Sequence, residues 1–226
     1  MTLKNPKRFY GALVIGALLL TTYLISDYRQ YIQDREDQSI QLGEQAGIRV
    51  ASELDAQLSE ISARAATYAA EVAAIDNEKM LLRSIRKESW RFPLVMGFTV
   101  AYAPGQFLER DRYAPFFNKT RNQFQFIEAI YDYTDPALAT AQWYTDSITS
   151  GESGWSEPYF GTASQTMLVD YCVPLINAAG EQIGVVDYSI SLSDFTKIVD
   201  SLSVGEAGYG FTYESGGAIL SHPNPD

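Results

Sequence analysis

Residues 9–26, FYGALVIGALLLTTYLIS, carry no charged side chain. At 1.5 Å per residue, a helix over them is roughly 27 Å long, close to the hydrocarbon thickness of a bilayer. Such a segment is unavailable to a water-soluble core and commits the rest of the chain to one side of a membrane. Lys4, Lys7 and Arg8 stand before it, and positive charge on that flank places residues 1–8 in the cytoplasm and everything after Asp27 outside. A cleaved signal peptide is the rival reading. The run ends in YLISDYRQ, with no small-x-small cleavage site, so a retained transmembrane helix is expected.

Charge then limits the partners. Of 17 Lys and Arg, setting aside Lys4, Lys7 and Arg8 leaves 14 against 28 Asp and Glu, so the exported part is near −14. That repels nucleic acid and anionic lipid. With one His and one Cys, a conventional His/Cys metal site cannot be assembled. A Ser-His-Asp site would have to use His222, four residues from the end, and no nucleophile–base pair or phosphate loop is found. Neither cofactor nor enzyme activity is expected of this stretch. Cys172 cannot form an intramolecular disulfide and reads as a buried, unreactive thiol.

From about Tyr28 to Ile75 there is no proline, and Val50, Leu54, Ile61, Ala65, Tyr68, Val72 and Ile75 recur at helical spacing. This predicts one long amphipathic helix, or two nearly collinear ones, running out of the anchor. It should pair with a second copy, giving a homodimer, or lie along a globular domain. A second helix is expected over Asn77–Trp90, with Leu81, Leu82 and Ile85 inward and Pro93 stopping it. Val95–Tyr102 reads as a buried strand, Gln123–Ile130 as a short helix, and 142–161 as a loop-like aromatic stretch. Thr166–Ile176 and Gln182–Leu192 read as a hairpin turning at NAAGE. Ser193–Leu202 follows as a helix with Ser193 as N-cap. A second hairpin around Ser215-Gly216-Gly217 has no sheet to join, so 205–226 is expected to open a further domain of a longer protein.

The segments WSEPYF, MLVDYCVPLI, IGVVDYSISLSDF and GYGFTYESGGAILSHP resemble the bacterial double Cache sensor domains, most strongly from Ala129 onward. The resemblance implies an α+β fold: an N-terminal transmembrane helix (9–26), a long exported signalling helix (27–76), a membrane-distal PAS-like antiparallel sheet module (77–204) and the start of a membrane-proximal Cache module (205–226). It implies a sensor in a bacterial inner membrane that binds a small molecule outside the cytoplasm and passes the signal to a kinase, cyclase, phosphatase or chemotaxis output. The alternative is a ligand-free module working through a partner protein or as a dimerising spacer.

In family members that bind amino acids, the resemblance places aromatic pocket positions on Trp143, Tyr144 and Tyr159, with Tyr131 nearby. The Arg that grips a ligand carboxylate falls on Ala141, and the Asp that holds the amine falls on Ser189. Asp187 takes the place of a small residue two positions earlier and shares a strand face with Ser189. With both ionic anchors displaced, the expected loss is on the order of hundredfold or more, and an α-amino acid ligand is not expected. Trp155 reads as packing. Asp132, Asp135 and Asp146 are either Asx turns or groups that would suit a cation over aromatic faces. Arg110, Arg112, Lys119 and Arg121 are either a replacement carboxylate clamp or a solvated loop. Asp170 and Cys172 share one strand face, and His222 is expected to fix a turn.

Overall fold

The computed structural model describes residues 6–200, 203–204, 208–213, 217 and 219–221, with side chains over 10–11, 13–198, 209–211, 213 and 217. One helix, α1, runs unbroken over Pro6–Ala73, so the alternative of two collinear helices falls away. Its apolar N-terminal part is open to the surroundings: Leu13, Val14, Ile15, Leu18, Leu19, Leu20, Leu24 and Ile25 are all exposed. Among the described residues, no helix is long and apolar enough to cross a membrane. The expected anchor includes Phe9 and Ala12, whose side chains lie outside the described set. Among the described residues of α1, the buried ones lie at its far end, where Ile61, Ala65, Tyr68 and Val72 turn one stripe inward at spacings of three and four.

Helix α2 (Glu78–Ser89) follows after a short turn. Asn77 caps it, its side chain accepting from the Met80 amide at 3.1 Å, with Glu78 in the first turn and Arg86 and Lys87 in the last. Leu81 and Ile85 are buried and Leu82 half-buried. The sheet contains β1 (Val95–Tyr102), β2 (Pro115–Asn118), β3 (Gln123–Phe126), β4 (Gly154–Trp155), β5 (Tyr159–Gly161), β6 (Thr166–Ile176) and β7 (Gln182–Ser191). Its order is β3-β2-β1-β7-β6-β4, with β5 also on β6 and every pairing antiparallel. Gly184 is needed where β7 crosses β1. A Cβ there would come within 2.2 Å of the Ala101 carbonyl oxygen.

Strand alternation divides the core in two. Phe98, Val100 and Tyr102 of β1, Val186, Tyr188 and Ile190 of β7, and Val173 and Leu175 of β6 meet α1 and α2. Phe98 takes edge-on contacts from Tyr68 and Tyr188 at 5.1 and 4.6 Å. On the opposite face, Ala101, Val185, Cys172 and Leu168 meet Phe116, Ile127, Tyr133 and Trp143. A polar clamp ties the helical layer to the sheet. The buried Glu88 of α2 accepts from Arg64 of α1 at 2.9 Å and from the Tyr188 hydroxyl of β7 at 3.3 Å.

Three local expectations are corrected. Gln123–Ile130 is not a helix but β3 followed by a single 3-10 turn over Ile127–Ala129. The QFQF alternation pairs register for register with β2, and Phe124 meets Phe117 at 5.0 Å. The stretch after Ala141 is not all loop. Helix α3 (Gln142–Ser150) buries Trp143, Tyr144 and Ser147 and ends at Gly151, whose φ of 68° closes it in the left-handed region. Helix α4 (Leu192–Asp200) starts one residue early, leaving Ser193 inside its first turn with its hydroxyl on Ser191 at 2.7 Å. Beyond it, Ser203–Val204 pairs with Gly208–Tyr209, and Thr212–Tyr213 with Ile219–Ser221. Ser215, Gly216 and His222 lie outside the described residues.

Candidate ligand-binding site

On the face of the sheet away from α1, a small cavity of about 20 Å³ opens between β1, β7 and the α3–β5 layer. Thr99, Asp187 and Ser189 form its floor, Phe116, Tyr131, Trp143 and Tyr159 its aromatic walls, and residues of the 161–164 turn its rim. Tyr131 and Trp143 are joined, the indole Nε1 donating to the Tyr131 hydroxyl at 3.1 Å. Tyr159 donates to Asp170 Oδ2 at 2.5 Å, and Ser189 to Asp187 Oδ2 at 3.0 Å.

The floor follows from register. Thr99 stands opposite Asp187 across β1 and β7, and Ser189 stands opposite Asp170 across β7 and β6. All four side chains therefore share one face, with Asp187 and Asp170 as diagonal neighbours. Asp170 and Asp187 are 0% and 3% exposed. Burial pushes the Asp170 carboxyl up to about 7, and burial followed by the Asp170 charge holds Asp187 well above the carboxylate range. Burial, then these two acids, raises the Tyr159 hydroxyl as well. Cys172, buried beside them, has its thiol raised by burial first and by Asp187 next, which makes it a poor nucleophile.

Five of the six sequence-predicted pocket residues thus meet at one cavity: Tyr131, Trp143, Tyr159, Asp187 and Ser189. Tyr144 does not reach it. Its ring packs on Tyr133 and Trp143 at 4.9 and 5.7 Å, behind the wall. Thr99 and Phe116 escaped the sequence reading because nothing local marks which residues of one strand face another. Asp170 carried a usable signal: turning the hairpin at NAAGE sets it against Ser189.

The charged candidates separate clearly. Arg110 pairs with Glu78 of α2 at 2.8 Å and lies over the Tyr113 ring, Arg112 pairs with Asp132 at 2.8 Å, and Lys119 donates to the Phe92 carbonyl at 2.7 Å. None of these, nor Arg121, lines the cavity. Asp132 and Asp135 accept from backbone amides two residues on, as Asx turns do. Asp146 lines a separate, more open groove with Trp155 and Cys172, on the far side of Trp143. Trp155 packs on Tyr171 at 4.9 Å yet stays 40% exposed at the sheet edge. Among the described residues, no group of three or more His, Cys, Asp or Glu side chains could hold a metal.

Residues 81–197 match the family model for the methyl-accepting chemotaxis protein-like first PDC sensor domain. A curated relative, the methyl-accepting chemotaxis protein PctB of Pseudomonas aeruginosa, is 33% identical over 84 residues, which is 37% of this chain and 13% of that receptor. The fold is shared with the extracellular domain of the histidine kinase mmHK1S-Z3 (TM-score 0.61, 22% identity, 76% of this chain and 65% of that one). It is shared also with the ligand-binding domain of the Pseudomonas fluorescens chemoreceptor CtaA in complex with L-serine (0.57, 21%, 84% and 74%). The Pseudomonas aeruginosa PctB domain in complex with L-Arg is a further neighbour (0.55, 23%, 85% and 73%). The exclusion of α-amino acid ligands is overturned by these complexes. It counted the acidic anchor as lost at Ser189, whereas two buried carboxylates, Asp187 and Asp170, flank that serine on the sheet.

Proposed function

Because the chain belongs to the methyl-accepting chemotaxis protein-like first PDC sensor domain family, we propose that residues 77–204 form the membrane-distal, small-molecule-sensing module of a transmembrane receptor. The cavity between Trp143, Tyr131 and Tyr159 is its binding pocket. The observation that carries this reading is the set of aromatic walls over a polar floor, the make-up of small-ligand sites. Residues 9–26 anchor the chain in the cell membrane with 1–8 in the cytoplasm. Residues 27–76 act as the signalling helix, and 205–226 begin a membrane-proximal module. A cytoplasmic output beyond it gives the protein its activity, while this stretch senses. Amino acids belong among the candidate ligands, since related domains bind them.

The route inward runs through β7. Asp187 and Ser189 face the pocket, and Tyr188 between them reaches Glu88 and through it Arg64 of α1. A ligand that binds one placement of β7 better than another biases α1 by the same free energy. Thermal unfolding of the full 226-residue chain in a neutral detergent, against amino acids, amines and organic acids, tests the pocket. At a hundred times Kd a true ligand stabilises by about 2.7 kcal/mol, and Trp143→Ala removes that gain. A flat response to every class refutes ligand sensing and favours a module that works through a partner protein.

A further inference from the structure

The groove on the far side of Trp143, about 350 Å³ in volume, runs between α3 and the edge strand β4. Three carboxylates line it: Asp146 from α3, Glu152 from the turn after that helix and Glu157 beyond β4. Among the described residues, none of the three forms an ion pair, and no Lys, Arg or His lines the groove. Nor do they converge, since no three acids among those residues stand close enough to hold a metal ion. Trp155 is 40% exposed, and among the described residues no Lys or Arg lies over its ring. Ser147 is an independent sign. It is buried, it lines the groove, and its hydroxyl has no hydrogen-bond partner, although buried polar atoms are nearly always satisfied. Strand β4 is last in the sheet order, so its outer edge pairs with no other described strand. Such an edge offers backbone N–H and C=O groups to an incoming chain.

We infer that the α3–β4 groove is a docking site for an extended, basic segment of a partner protein. An Arg or Lys side chain of the segment lies over Trp155, further basic side chains meet Asp146, Glu152 and Glu157, and a polar group meets the Ser147 hydroxyl. Charge complementarity carries the choice of occupant. Carboxylates that do not converge need several positive charges spaced along a chain, whereas one small cation meets only one of them. An exposed indole beside acids suits a guanidinium, which stacks on aromatic faces and bonds carboxylates at once. With a net charge of −11 the chain repels nucleic acid and anionic lipid, which leaves protein as the macromolecule that binds here. The groove is a site apart from the pocket, because Asp146, Ser147 and Trp155 line it and do not line the cavity.

The test uses the full chain in a neutral maltoside and a dye-labelled peptide of alternating Arg and Thr, read by fluorescence anisotropy. Its citrulline counterpart and N-acetylarginine amide serve as comparisons. The arginine peptide binds, and its affinity falls about fivefold or more as salt rises from about 50 to about 200 mM. The citrulline peptide does not bind. Trp155→Ala weakens binding about two- to fivefold, as loss of an exposed cation–π contact does. Asp146→Asn, Glu152→Gln and Glu157→Gln together weaken it about tenfold. Ser147→Ala weakens it about threefold without lowering the unfolding temperature, because no hydrogen bond of the folded chain is lost. Neutralising three exposed acids of α1 instead (Asp34→Asn, Glu36→Gln, Asp37→Asn) leaves the affinity unchanged. Silence from the arginine peptide, equal binding of the citrulline peptide, full affinity in Trp155→Ala or an equal loss in the α1 variant overturns the inference. Equal affinity for N-acetylarginine amide overturns it in favour of a small-cation site. Should the groove variants fail to fold, a photo-crosslinking form of the peptide decides on the wild type: labels within residues 142–157 bear the inference out, and labels elsewhere overturn it.

Discussion

The Glu88 clamp makes a prediction whose size can be worked from its contacts. Glu88 is almost fully buried and accepts from Arg64 Nε at 2.9 Å, Arg64 Nη2 at 3.2 Å and the Tyr188 hydroxyl at 3.3 Å. Arg64 has a second partner in Glu71, at 2.7 and 2.8 Å, but that carboxylate is 56% exposed and its pair adds less than about 1 kcal/mol. In Glu88→Gln the amide oxygen still takes one bond from Arg64 and loses its charge. The difference between charged and neutral hydrogen bonds puts the cost at about 1–2 kcal/mol. Glu88→Ala removes every bond to Glu88, leaves Arg64 with Glu71 as its partner and opens a hole, at about 2–4 kcal/mol. Arg64→Met combined with Glu88→Leu fills the same volume without charge and should lie within about 1 kcal/mol of wild type. Urea unfolding followed by tryptophan fluorescence measures all of these. If the alanine variant stays within about 0.5 kcal/mol of wild type, or if the double variant costs the sum of its parts, the clamp does not hold α1 and α2 to the sheet.

Four further outcomes are expected. Gly184→Ala forces a Cβ against the Ala101 carbonyl at 2.2 Å, so β1 and β7 must part, and the urea midpoint should fall by the equivalent of about 3 kcal/mol or more. Without ligand, stability should decline as pH rises from about 4 to about 7. The folded Asp170 carboxyl, titrating near 7, binds a proton there that the unfolded chain, titrating near 3.9, has already lost. Melting curves across that range should flatten in Asp170→Asn, and a wild-type curve that climbs would reverse the sign. Cys172 should resist maleimide in the native chain and react fully in 6 M guanidinium, a contrast that mass spectrometry reads directly. Tyr144→Phe should leave any ligand-induced thermal shift intact while Trp143→Ala removes it, because only the tryptophan forms a cavity wall.

The hairpin of β6 and β7 was legible almost residue by residue, because Val- and Ile-rich runs on either side of NAAGE leave one way to fold. The long helix was legible from its period and its lack of proline. Helix α3 was not. QWYTDSITS has no side-chain N-cap, and its amphipathic period is hidden by Trp143 and Tyr144 standing side by side. What makes it a helix is the sheet face it covers, and tertiary burial of this kind leaves no local mark. The same reason hid half of the site. Aromatic walls could be named from motif positions, whereas the floor is a product of pairing: Thr99 belongs with Asp187 only because β1 lies next to β7. Ala141 and Ser189 suggested missing charges when each position was taken alone. In the sheet, Asp187 stands two residues along β7 from Ser189 and Asp170 directly opposite it, so acidic charge is present on the same face.

That placement bears on how the pocket and the helical layer are joined. Along β7 the side chains alternate between Asp187, Tyr188 and Ser189, and the middle one leaves the opposite face to meet Glu88. The strand is paired on both sides, to β1 and β6, so its backbone cannot shift at one residue without carrying the next. A group that draws Asp187 toward the cavity therefore changes the distance from the Tyr188 hydroxyl to Glu88, which at 3.3 Å is the longest bond in the clamp. Tyr188→Phe removes that bond and preserves the ring that packs on Phe98. It should cost no more than about 1 kcal/mol in stability, since the hydrogen bond is long and the ring remains. Its effect on ligand affinity separates two cases. If Tyr188 strains the strand against the pocket, affinity rises in the variant. If the bond holds Asp187 in its binding position, affinity falls. An unchanged affinity would mean that the two faces of β7 act independently, and the route from pocket to α1 through Glu88 would be refuted.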